Sequence, residues 1–349
     1  MVKSINDRRN LILSFIKKNP SRSSKEIHEG INEEWGYATV KRILQNLLSE
    51  NLIVSSGKGK GTKYNISPAF NLIRTIDVEQ YFQKEIDERK IRNSFNYSLI
   101  KETLAGVSIF TERELNHLTE LQKQYKTKSS QLTKNEYNKA LERLAIDLSW
   151  KSSQIEGNTY SLLETERLIK EKETAAGKTK DEASMLLNHK EALDFIIAHP
   201  NYANPLSVST IENIHSILIK NLNVDRNIRK HVVGISGTNY KPLDNEFQIK
   251  EALEDMCNVI NNKENIFSKA LLVLVLISYI QPFSDGNKRT ARIVSNAIFI
   301  NNNFCPLSFR TVNSIDYKKA MLIFYEQNNI NPMKAIFINQ FEFAVQTYF

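Results

Sequence analysis

Gln281-Pro-Phe-Ser-Asp-Gly-Asn-Lys-Arg-Thr-Ala-Arg292 decides how this chain is read. An apolar run, Phe267 to Ile280, precedes it, and a second helical pattern, Asn287 to Ile300, follows. Asp285-Gly286-Asn287 is turn chemistry, so the stretch predicts a tight loop that opens a helix. A helix start exposes unpaired N–H groups and a partial positive charge, and together these attract anions. Lys288, Arg289 and Arg292 add full charges. Arg289 and Arg292 are three apart and share a helix face, with long side chains leaning back toward the N-terminus. The stretch reads as a phosphate cradle between two buried helices.

Upstream, Tyr137, Ala140, Leu141, Leu144, Ala145 and Leu148 keep helical spacing into Ser152-Ser-Gln-Ile-Glu-Gly157. Gly157 predicts the helix stop. Glu156 then sits at a helix C-terminus, a poor place for an anion unless a cation faces it. On the next amphipathic helix, Val208 to Leu222, His215 has no partner His or Cys at metal-ligand spacing and reads as a packing residue. Val232, Val233 and Ile235, then Gly237-Thr-Asn239 and Tyr240, predict a β-hairpin in an otherwise helical region. A lone hairpin leaves a free edge on which an extended peptide can dock; a plain surface loop is the alternative.

These pieces resemble the Fic family, whose members attach AMP or related phosphate-containing groups to protein hydroxyls. The family loop is H-P-F-x-[DE]-G-N-[GK]-R-x-x-R, and Pro282, Phe283, Asp285, Gly286, Asn287, Lys288, Arg289 and Arg292 match it at every defined position but the first. A second family signature, the inhibitory helix [ST]-x-x-x-E-[GN], is met by Ser152, Glu156 and Gly157. The resemblance implies that Asp285 holds Mg²⁺ and that Gly286, Asn287 and Lys288 cradle the ATP phosphates. It implies further that Arg289 and Arg292 neutralise the β- and γ-phosphates. Glu156 would pair with Arg292 in the γ-phosphate region. Ile235, Thr238 and Tyr240 would belong to the flap on which a target protein docks, presenting a Tyr, Ser or Thr hydroxyl. The departure is Gln281, where the family has the histidine that takes the hydroxyl proton. An amide cannot be a general base. His231 is the conceivable substitute, with nothing in the sequence to position it.

The N-terminal segment has a different character. Residues 1–70 hold 12 Lys/Arg against 6 Asp/Glu, most of the chain's net charge of +8. Leu11, Ile12, Phe15 and Ile16 mark a first helix, Ser23-Ser-Lys-Glu26 a capping box for a second, and Tyr37 to Ser49 a third. Leu52 to Val54 and Thr62 to Ile66 read as strands around Gly57-Lys-Gly-Lys-Gly61, which fits neither common glycine-rich phosphate motif. This order resembles the winged helix-turn-helix family. The resemblance implies DNA contacts from Lys41, Arg42 and Gln45 on the third helix and from Lys58, Lys60 and Lys63 on the wing. A protein-docking role is the alternative.

The expected fold class is mainly α: a winged helix at 1–70, a helical connecting region at 71–134, and an all-helical Fic core with one flap hairpin at 135–349, its inhibitory helix near 137–157. Cys257 and Cys305 lack metal-ligand spacing, and the N-terminus lacks a signal-peptide pattern, so the expected compartment is the cytoplasm. The apolar run Ala270 to Ile277 is too short for a bilayer. Expected partners are a nucleotide, a hydroxyl-bearing protein and DNA through residues 1–70; a homodimer is compatible with the sequence. Two functions fit: an ATP–Mg²⁺-binding relative of protein AMP-transferases, autoinhibited by Glu156 and impaired at Gln281, or a nucleotide-sensing DNA-binding regulator without transferase activity.

Overall fold

A computed structural model describes residues 5–349 apart from Asn32 and Glu34; the side chains of Ile5, Asn6 and Lys60 also lie outside the description. The chain divides into two compact units, Met1–Thr75 with Gly106–Asn116, and Ile76–Ala105 with His117–Phe349. The segment 71–134 is thus shared between the units.

The first unit contains α1 (Ile5–Lys18), α2 (Ser24–Gly30), α3 (Tyr37–Ser49), β1 (Ile53–Ser56), β2 (Lys63–Ile66) and α4 (Phe70–Ile73). Ser23 and Glu26 form the reciprocal capping box that starts α2. Ile12, Ile16, Ile27, Val40, Leu44 and Leu47 are buried together as its core. The strands pair antiparallel, Ile53 opposite Ile66 and Ser56 opposite Lys63. Helix, helix, helix and ribbon make a winged helix-turn-helix. Lys41, Arg42, Gln45 and Lys58 are exposed. Lys63 Nζ lies 2.8 Å from Glu26 Oε2 in a partly exposed ion pair.

After α5 (Val78–Phe82) and α6 (Glu112–Gln131), the helices are α7 (Lys134–Ile155), α8 (Leu162–Glu171), α9 (Lys180–Ala198), α10 (Val208–Leu218), α11 (Glu246–Asn262), α12 (Ile266–Ile280), α13 (Asn287–Asn301), α14 (Ser314–Gln327) and α15 (Asn331–Thr347). Every residue of Ala270 to Ile277 is fully buried, and α13 is buried along nearly its whole length. A helix apolar on all sides belongs at the centre of a core. At about 1.5–3 kcal/mol per buried aliphatic side chain, α12 packed on α13 is a rigid platform. The loop between them inherits that rigidity. Among the described residues no helix is long and apolar enough to cross a membrane, and both cysteines are buried and free.

The expected flap hairpin is a loop. Its turn is present at Ser236-Gly237, but residues 232–240 form no strand ladder. Their backbone groups go elsewhere. Arg89 Nη2 donates to Gly237 O at 2.9 Å, Tyr240 N donates to Thr238 Oγ1 at 3.1 Å, and Lys241 N donates to Asn93 O at 3.0 Å. A side-chain donor, a side-chain acceptor and the carbonyl of a distant segment replace the partner strand.

Candidate functional site

The loop after α12 is held in shape by side chains of its own motif. Gln281 caps α12 in the left-handed region, φ 52°, where few residues other than glycine settle. Its amide is engaged at both ends: Nε2 donates to Ser278 O at 2.7 Å, and Oε1 accepts from Asn287 Nδ2 at 2.9 Å. Asn287 also staples the loop internally, accepting from Phe283 N at 2.9 Å and donating to Phe283 O at 2.8 Å. Phe283 is buried and stacks on the His215 ring, with centroids 3.7 Å apart and planes 4° from parallel. His215 is therefore a packing residue, and burial pushes it down to about 4. Gly286 caps α13 at φ +80°, and a Cβ there would come within 3.2 Å of His215 Cε1. Both facts call for glycine.

Arg229, 1 % exposed, clamps the loop to the flap segment. Its Nε donates to Gln281 O at 2.7 Å, its backbone N to Pro282 O at 3.0 Å and its Nη1 to His231 O at 2.6 Å, and Nη2 donates to Leu243 O. Sequence reasoning missed this residue, since one arginine ahead of a loop carries no signal.

The cations of α13 converge on the end of α7. Gly157, φ 102°, stops that helix, leaving Glu156 as the capping residue. Glu156 Oε1 accepts from Arg292 Nη2 at 2.8 Å, and Oε2 accepts from Lys288 Nζ at 2.8 Å. Sequence reasoning supplied one facing cation, Arg292; the structure adds Lys288. Burial pushes the Glu156 carboxyl up, but Arg292 and Lys288 outweigh it and hold the group at about 2. It is ionised at any ordinary pH. Ser152, one turn earlier, accepts from Arg292 Nε through Oγ at 2.8 Å and from Nη2 through its carbonyl at 3.1 Å. Arg289 Nη2 donates to Asp285 Oδ2 at 2.9 Å. Nε and Nη1 of Arg289 and Nη1 of Arg292 are buried with no hydrogen-bond partner. Orphaned guanidinium donors beside a helix N-terminus suit an oxyanion with several acceptor oxygens.

A cleft of about 380 Å³ opens over this loop. Glu156, Ile235, Gln281, Asp285 and Lys288 line it, and α14 closes one side with Lys318, Met321, Leu322 and Tyr325. That α14 stripe went unread because helical spacing marks a face, not what the face meets. Ile235 reaches the cleft and Thr238 is half-buried, but Tyr240 corrects its expected docking role. It is 2 % exposed, stacks on Tyr279, and donates its hydroxyl to Tyr279 O at 3.1 Å. His231 Nε2 lies 3.5 Å from Ser284 Oγ, at the outer limit of a hydrogen bond, and His231 does not line the cleft.

The segment that carries the helix-loop-helix platform is matched by known proteins. Residues 205–299 match the Fic/DOC family. This segment is a Fic/DOC domain. Residues 5–124 match the penicillinase repressor family. Protein adenylyltransferase Fic from Nematostella vectensis is 29% identical over 182 residues, 48% of this chain and 40% of that protein. Protein adenylyltransferase fic-1 from Caenorhabditis elegans is 23% identical over 200 residues, 56% of this chain and 39% of that one. The chain thus spans about two fifths of the length of these relatives. The solved structure of C. elegans Fic-1, residues 134–508, superposes with a TM-score of 0.56 at 21% identity, covering 68% of this chain and 72% of that one. It shows a shared fold over that part of the chain.

Proposed function

We propose that the Fic domain binds ATP with Mg²⁺ in the cleft over residues 281–292, as a relative of protein AMP-transferases held shut by Glu156 and impaired at Gln281. The observation that carries this reading is the pair of 2.8 Å ion pairs by which Glu156 occupies Arg292 and Lys288 at the mouth of the cradle. A carboxylate held there stands where a terminal phosphate would need the same two cations. The residues fit the magnesium ion as well. Asp285 is an exposed hard-oxygen ligand at the cleft wall, with one oxygen taken by Arg289, and Mg²⁺ commonly takes one or two carboxylates plus phosphate oxygens and water. Bound there, the ion supplies charge neutralisation on the phosphates.

The remaining chemistry belongs to the chain. The α13 N-terminus, Lys288, Arg289 and Arg292 hold phosphate oxygens and offset charge on departing pyrophosphate. The acceptor is a Tyr, Ser or Thr hydroxyl of a protein laid along residues 234–236. Its oxygen bonds to the α-phosphorus as the bond to the β-phosphate oxygen breaks, and its proton needs a base. Gln281 has none to offer, and its amide is spent on Ser278 and Asn287. The direct test is calorimetry with Mg-ATP on the Glu156→Gly variant. Binding that Arg289→Ala abolishes is expected; no binding by Glu156→Gly would refute the reading.

A second reading, a DNA-binding regulator with the Fic domain as nucleotide sensor, is favoured by the penicillinase repressor match and by exposed Lys41, Arg42, Gln45 and Lys58. The full chain is then expected to shift duplex DNA at low salt. Three phosphates neutralised by Lys41, Arg42 and Lys58 would give a slope of log affinity against log salt of about −2.7. The absence of any shift at about 50 mM salt points the winged helix to a protein partner instead.

A further inference from the structure

Beneath the Glu156 contact lies a buried chain of hydrogen bonds that runs into α9. His189 is fully buried, and its Nε2 lies 2.7 Å from Ser152 Oγ, the same oxygen that Arg292 Nε meets at 2.8 Å. We propose that His189 is a positioning residue for the Glu156 lock: through Ser152 it sets the Arg292 guanidinium against Glu156, and so governs how readily nucleotide enters. The proposal rests on the nucleotide reading above and deepens it.

Donor accounting gives the contact its direction. A guanidinium only donates, so Ser152 Oγ accepts from Arg292. The single hydroxyl proton of Ser152 is assigned to His189 Nε2, which puts the proton of the neutral ring on Nδ1, a buried atom with no hydrogen-bond partner. Burial, and after it the charges of Arg292 and Arg289, favour that neutral form.

A buried helical serine has another option. Its hydroxyl can fold back onto the carbonyl four residues earlier. Ser149 on the same helix does this, donating to Ala145 O at 2.8 Å. Ser152 does not, because His189 offers its proton a better acceptor. Without that acceptor the hydroxyl turns back to the helix, its oxygen leaves Arg292 Nε, and the guanidinium loses one of the contacts that aim Nη2 at Glu156. The Glu156–Arg292 bond then weakens with no change to either of its own residues.

The experiment pairs His189→Leu, which removes the acceptor, with His189→Gln, whose Oε1 can still take the Ser152 proton. Mg-ATP binding is read by calorimetry, and hydrogen exchange is read at residues 153–157. His189→Leu is expected to tighten Mg-ATP by about fivefold, the worth of one net hydrogen bond, and to raise exchange at the end of α7. His189→Gln is expected to stay near the wild type in both. In a Glu156→Gly background, His189→Leu is expected to give no further gain in affinity, because the lock it acts through is gone. Should His189→Leu fold poorly, Ser152→Ala tests the same link from its middle and is expected to reproduce both effects. Equal behaviour of the Leu and Gln variants, or a full-sized Leu effect that persists in Glu156→Gly, would overturn the proposal. Failure of Glu156→Gly itself to bind Mg-ATP sinks the nucleotide reading separately. The exchange comparison then decides the role of His189, and unchanged exchange in the Leu variant contradicts it.

Discussion

Gln281→His in a Glu156→Gly background is expected to raise transfer of label from α-³²P-ATP to protein by about 10²–10⁴-fold, the usual worth of a positioned general base. The backbone is ready for the change. Residue 281 already sits in the left-handed cap that turns its side chain into the cleft, and the Arg229 contacts at residues 281 and 282 are to backbone carbonyls that substitution leaves in place. Histidine loses the amide's link to Asn287, but Asn287 keeps both bonds to Phe283, so the loop retains its staple. Labelling is counted on the protein itself, which needs no knowledge of the natural acceptor. Equal labelling with and without the histidine would show that position 281 does not limit the reaction.

Glu156→Gln is expected to lower the unfolding free energy by about 3 kcal/mol at pH 7, with Mg-ATP restoring much of the loss. Removing the charge leaves a fully buried guanidinium without its counter-ion, held by Ser152 and a neutral amide, and breaking a buried pair costs about 3–5 kcal/mol. The depressed acidity points the same way. A carboxyl held at about 2, against an ordinary 4.5, stabilises the fold at every pH above the ordinary value. That contribution fades as pH falls from 4.5 toward 2, so the gap between wild type and variant narrows in acid. Nucleotide phosphates supply a new anion for Arg292, and a ligand that binds only the folded form raises its stability by mass action. Thermal unfolding with and without Mg-ATP reads both parts. A variant as stable as the wild type at pH 7 would mean that Glu156 and Arg292 are not coupled.

The parts of this molecule that local chemistry dictates were legible in advance. The run Val40, Ile43, Leu44, Leu47 set α3 at the residues the structure gives it, Tyr37–Ser49, and Ser23 with Glu26 marked the start of α2. Asp285-Gly286-Asn287 announced the loop and the first turn of α13. What local chemistry does not dictate was missed. Val232, Val233 and Ile235 have strand propensity, yet their neighbours supply side-chain donors from Arg89 and Arg229 rather than a partner strand, and nothing within the segment reveals that. Tyr240 looked like a flap residue by position and proved to be core, because its ring partners Tyr279 and Tyr325 are contributed by α12 and α14. Helix periodicity placed Glu156 at a helix end in need of a cation; it could not show that Lys288 would share the role, or that His189 would stand behind Ser152.

The claim at the centre of this account is that Glu156 holds the place of the terminal phosphate. It is tested most directly by the ratio of ATP to ADP affinity, measured by calorimetry with Mg²⁺ on the wild type and on Glu156→Gly. The wild type is expected to prefer ADP, which leaves Arg292 to Glu156, and the variant is expected to lose that preference and bind ATP at least as well. An ATP-to-ADP ratio that is the same in both proteins would contradict it.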